Sequence, residues 1–146
     1  MRTLTPVVLI TLYFAFTAQA PSRANQAGAP VSTEGACAPL GSAYMRTTLY
    51  FGLTHRAGSV TEGQWRSFLR DEVTPRFPQG LTVWEADGQW RRSDGRIGRE
   101  RAKVLLLVHD ETAEVRAALA AIVGRYKRSF QQESVLWETA RVCAAF

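Results

Sequence analysis

Between residues 44 and 54 the chain alternates, with Met45, Thr47, Leu49, Phe51 and Leu53 on one side of an extended strand and Arg46, Thr48, Tyr50 and Gly52 on the other. Thr61-Glu62-Gly63-Gln64 then has the pattern of a capping box, and Trp65, Phe68, Leu69 and Val73 recur at helical spacing. Pro75 and Pro78 stop that helix, because neither has a backbone N–H to donate. Gly80 supplies the freedom for a corner into a second strand over residues 80–86, with Leu81 and Val83 on one face and Thr82 and Trp84 on the other. Residues 87–101 contain the turn dipeptides Asp87-Gly88 and Asp94-Gly95 and read as a long, basic hairpin connection. Residues 103–109 are almost continuously apolar, as expected of a strand covered on both faces. Asp110 or Thr112 can cap a second helix, whose stripe is Val115, Ala118, Leu119, Ile122, Tyr126 and Phe130. A last strand is expected over residues 133–143, with Val135 and Trp137 on one side and Leu136 on the other.

Strand, helix, strand, strand, helix, strand is the order of the α+β ferredoxin-like fold, an antiparallel sheet with both helices on one face. Right-handed crossovers place the first and third strands in the centre, where they are expected to run parallel, with the second and fourth outside. The fourth strand lies antiparallel to the first, so its end meets the first strand's beginning. The other sheet face is expected to carry Tyr50, Trp84, one alternate set of residues 103–109, and Trp137. That is a large apolar patch to leave wet, and a second copy of the chain, a small ligand or the chain's own leader could cover it.

Ahead of this domain the pattern changes character. Arg2 is followed by an apolar run over residues 7–18 and by small residues at Ala18 and Ala20, which reads as a signal peptide over residues 1–20. The run is shorter than the ~20 apolar residues of a membrane span, so no stable span is expected after cleavage. Residues 21–43, rich in Ala, Gly, Pro and Ser, read as a flexible leader, and residues 44–146 as one domain. Secreted or periplasmic localisation follows, and with it an oxidising compartment in which two cysteines are more often bridged than free. Cys37 precedes the first strand and Cys143 ends the last, points that the fold brings together.

Candidate chemistry is sparse. His55 follows the first strand and His109 ends the third, so parallel strands would bring both imidazoles to one end of the sheet, near Asp110 and Glu133. No closely spaced metal-ligand pair occurs, and no metal or cofactor is expected. Nucleophile motifs and glycine-rich phosphate loops are missing as well. Trp90 with Arg91, Arg92 and Arg96 could take an anionic ligand, although a solvated basic loop is the simpler reading. The net charge of +5 falls to about +4 without Arg2, and an exported protein seldom meets nucleic acid, so none is expected as a partner.

Tyr-Met-Arg-Thr-Thr-Leu-Tyr-Phe-Gly-Leu from Tyr44, Thr74-Pro75-Arg76-Phe77-Pro78, Gly80-Leu81-Thr82-Val83, Gly88-Gln89-Trp90-Arg91 and Gln132-Glu133-Ser134-Val135 resemble a family of small exported bacterial proteins, domain of unknown function 3574. The resemblance implies a single exported domain and carries no activity. The expectation is a small binding or accessory protein, a homodimer or a binder of a small ligand through Tyr50 and Trp84 on the open sheet face. The alternative is a cofactor-free enzyme with a pocket on that face of a dimeric barrel, tested first at Tyr50, Trp84, His55 and His109.

Overall fold

The computed structural model describes residues 37–55 and 58–146. The expected signal peptide and most of the leader lie outside them. Strand β1 runs Ser42–Gly52, and a small hairpin, β2 Thr54–His55 and β3 Gly58–Ser59, follows it. Helix α1 spans Glu62–Phe68, with Thr61 accepting from the Gln64 N–H while the Gln64 side chain reaches back to the Thr61 N–H. Its continuation, Leu69–Val73, is one π-helical turn in which the Thr74 N–H donates to the Leu69 carbonyl at 2.8 Å. The proline corner packs inward through Val73 and Phe77. Arg76 donates to the Glu72 carbonyl that the ending helix leaves over. Gly80, at φ +151°, turns the chain into the next strand.

Strands β4 (Thr82–Arg91) and β5 (Ile97–His109) form one long hairpin. Here the structure departs from the expected basic loop over residues 87–101. Asp87-Gly88 does not turn the chain, because the ladder continues through Asp87 opposite Arg101 and Gly88 opposite Glu100. Only residues 92–96 form the turn, with Arg92 and Arg96 paired through the backbone at 2.9 Å. Opposed charges stabilise the extension, Arg101 and Lys103 both reaching Glu85. Helix α2 (Ala113–Phe130) is capped by Thr112, and β6 covers Leu136–Ala144.

The sheet order is β4-β5-β1-β6, antiparallel throughout, as the ferredoxin-like fold requires. The expected parallel pairing of the two central strands is corrected: β1 runs antiparallel to β5, Met45 lying opposite His109 and Gly52 opposite Ala102. The physical reason is the direction of travel. The crossover through α1 sets β4 in the same sense as β1, and the hairpin then reverses β5.

Both helices lie on one face. Leu49 and Phe51 of β1 and Leu105 and Leu107 of β5 pack there against Trp65, Phe68, Leu119, Ile122 and Tyr126. The centre is an aromatic knot in which the Phe51 and Tyr126 rings lie 4.6 Å apart and Phe68 and Tyr126 5.1 Å apart. Tyr126 satisfies its buried hydroxyl by donating to the Gly52 carbonyl at 2.8 Å. A disulfide joins Cys37 to Cys143 beside the start of β1, whose Ala43 pairs with Cys143.

Candidate functional site

Alternation along four strands in register writes one row across the face that no helix covers: Trp84, Val104, Tyr50 and Leu136. Its centre is dry, Val104 being fully buried between Trp84 and Tyr50. Its two ends are wet, with Trp84 42% and Leu136 61% exposed. The neighbouring row is Thr82, Leu106, Thr48 and Glu138, and on the other side lie Ala86, Ala102 and Gly52. Tyr50 donates its hydroxyl to Glu138 at 3.2 Å. Desolvation of the ring, with the Glu138 charge beside it, raises the Tyr50 hydroxyl above the usual tyrosine range.

Trp137 was expected on this face and sits on the other. It pairs with Leu49 and packs against the helix-side core, while Leu136 takes the open side. Both residues are bulky and apolar, so the local pattern could not choose between them. The register with β1 decides it, setting Trp137 beside Leu49 on the helix side and Leu136 beside Tyr50 on the open side.

The two histidines do not meet. His109 stands at the end of β5, opposite Met45 near the beginning of β1, whereas His55 follows the end of β1. The antiparallel pairing separates them by the length of the strand. Glu133 precedes β6, which begins opposite Tyr50, so it belongs to the His55 end while Asp110 adjoins His109. Among the described residues no group of three His, Cys, Asp or Glu side chains could hold a metal ion. His109 is nonetheless held at both ring nitrogens, Nε2 2.9 Å from the Thr47 hydroxyl and Nδ1 2.8 Å from the Asp110 carbonyl.

The basic hairpin is also divided by its own alternation. Arg91 lies opposite Ile97, on the helix side of the strand, whereas Trp90 and Gly98 face the open side. Arg92 lies across Gly98, where a Cβ would come within 2.7 Å of its Nε. Arg96 is turned back onto Asp94 at 2.9 Å. Trp90, Arg91, Arg92 and Arg96 therefore do not converge on one anion site.

The family described as Protein of unknown function (DUF3574) matches residues 46–146. None of the curated proteins matches the sequence. Among solved structures, a phage SAM lyase in complex with S-methyl-5'-thioadenosine superposes with a TM-score of 0.55 at 12% identity, covering 69% of this chain and 90% of the lyase. The same enzyme's apo state gives 0.51 at 15% identity, over 73% and 94% of the two chains. CutA from Synechococcus elongatus PCC7942, complexed with Bis-Tris, reaches 0.41 at 14% identity over 70% and 82%. At these identities the likeness to the lyase is one of fold.

Proposed function

We propose that this chain, which belongs to the DUF3574 family of proteins of unknown function, is an exported binding protein that pairs with a second copy through the open face of its sheet. The row Trp84-Val104-Tyr50-Leu136 carries the reading. A strip that is dry in the middle and wet at both ends lacks only a layer over its edges, and a sheet from a second copy supplies one of matching width. Export rests on the signal-like residues 1–20 and on the Cys37–Cys143 bridge, a bond that persists in oxidising compartments. No helix among the described residues is long and apolar enough to cross a membrane. The alternative, a cofactor-free enzyme on the same face, loses its histidine pair to the separation of His55 and His109.

Light scattering on the oxidised, processed protein tests the pairing. A dimer at micromolar concentration that becomes monomeric in Trp84→Glu/Leu136→Arg, with unchanged circular dichroism, is the expected result. A monomer at 100-fold higher concentration, or a dimer indifferent to both substitutions, rejects it.

A further inference from the structure

On the opposite side of the sheet the structure leaves a gap under the amino end of α2. The helix begins at Ala113, yet its first fully buried residue is Leu119, and Val115 is only half-buried. Beneath that first stretch lies a cavity of about 420 Å³, within the size range of small-molecule sites. Its floor is apolar, from Met45, Leu119 and Trp137.

Among the polar groups that line it, His109 and Thr47 have their hydrogen-bonding roles set by their partners. The Asp110 carbonyl can only accept, so His109 Nδ1 carries a proton. In the neutral ring Nε2 then accepts from the Thr47 hydroxyl, whose residue is wholly buried. The pair is thus orientationally locked, a buried hydroxyl and an imidazole edge at the inner end of the cleft. Arg116 stands at the rim, one helical turn beyond Thr112. Among the described residues it has no carboxylate partner, whereas Glu111, on the same rim, is occupied by Arg141 at 2.9 Å.

We infer that this cleft binds a small monocarboxylate with an apolar body, the carboxylate on Arg116 and the body on Trp137, Met45 and Leu119. A guanidinium fork matches a planar carboxylate in two parallel hydrogen bonds. Arg116 brings one positive charge to a cleft that Asp110 also lines with a carboxylate, so a ligand with a single negative charge is favoured over a phosphate dianion, which would add a second charge beside Asp110 and onto an apolar floor. The site lies on the helix side of the sheet and is independent of the pairing surface proposed above.

The test is a two-dimensional amide and indole NMR titration of the full processed chain with acetate, hexanoate, benzoate and indole-3-acetate, each paired with its neutral amide. At least one acid with an apolar body is expected to produce saturable shifts at Met45, Thr47, Arg116 and the Trp137 indole, at least tenfold tighter than its amide. Arg116→Met should lose that tenfold preference while its spectrum otherwise stays native. Saturation absent for all four acids, shifts confined to the Arg91–Arg96 hairpin, or an undiminished preference in Arg116→Met each overturn the assignment. Repeating the titration on monomeric Trp84→Glu/Leu136→Arg separates the two proposals, because binding there is expected to be unchanged.

Discussion

The two faces of the sheet are made by the same four strands and differ by one step of the pleat. On the helix side, Leu49, Phe51, Leu105 and Leu107 are sealed by aromatic rings from both helices. On the open side, Thr48, Ala102 and Val104 are nearly as buried with no helix above them. At these positions the central strands β1 and β5 are therefore buried on both faces. What distinguishes the faces is the edge strands, where Trp84 of β4 and Leu136 of β6 stay exposed while Trp137, one residue on, is packed. A four-stranded sheet can dry its middle with its own neighbouring side chains. Only a second layer dries its edges.

The largest test of that contrast removes one ring from each face. Phe51→Ala, in the aromatic knot, is expected to cost about 3–5 kcal/mol by urea unfolding. Trp84→Ser is expected to cost under about 1 kcal/mol in the isolated chain, the scale of a cross-strand pair. Equal losses at the two positions would mean that the faces are energetically alike and the contrast is only one of exposure.

A smaller effect concerns the sheet edge where β6 meets the start of β1. Cys37→Ser/Cys143→Ser removes the clamp there and should lower stability by about 2–4 kcal/mol, read as a shift of the urea midpoint. The same shift should follow from adding reductant to the wild type. A midpoint unmoved by both treatments would leave that edge held by the strand ladder alone.

The smallest effect is a pH slope. Burial, with the Glu100 charge, pushes ionisation of the Tyr126 hydroxyl far above the ordinary tyrosine value of 10.0. The folded state keeps this proton while the unfolded chain releases it. The stabilisation is thus complete below pH 10 and declines as pH rises from there towards the folded-state value. Tyr126→Phe, which leaves the Gly52 carbonyl without its donor, should cost about 1–2 kcal/mol at neutral pH. It should also flatten the alkaline decline, and an identical decline in the variant would assign the slope to other groups.

Much of the helix side was legible in the sequence because each element there carries a local signal. The Thr61–Gln64 capping box, the prolines after Val73, and the stripe from Leu119 to Tyr126 specify their own geometry. The long hairpin was not legible, since its stability is cross-strand. Glu85 takes meaning only opposite Lys103, and Asp87 only opposite Arg101. Strand direction escaped for a related reason, being a property of the whole path and of no single segment. With it went the expected meeting of His55 and His109. The cleft under α2 was foreshadowed only by His109; Thr47 and Arg116 carry no signal until the register and the helix place them beside it.

The Cys37–Cys143 bond has a mechanical meaning as well. The two cysteines are 106 positions apart along the chain, and both helices and almost the entire sheet lie between them. A pull applied between the segments before Cys37 and after Cys143 passes directly through sulfur and never loads the strands. Unfolding by tension from those ends therefore requires reduction first. A proteolytic nick inside the enclosed chain likewise leaves one covalent molecule, whose two pieces separate only when the bridge is opened.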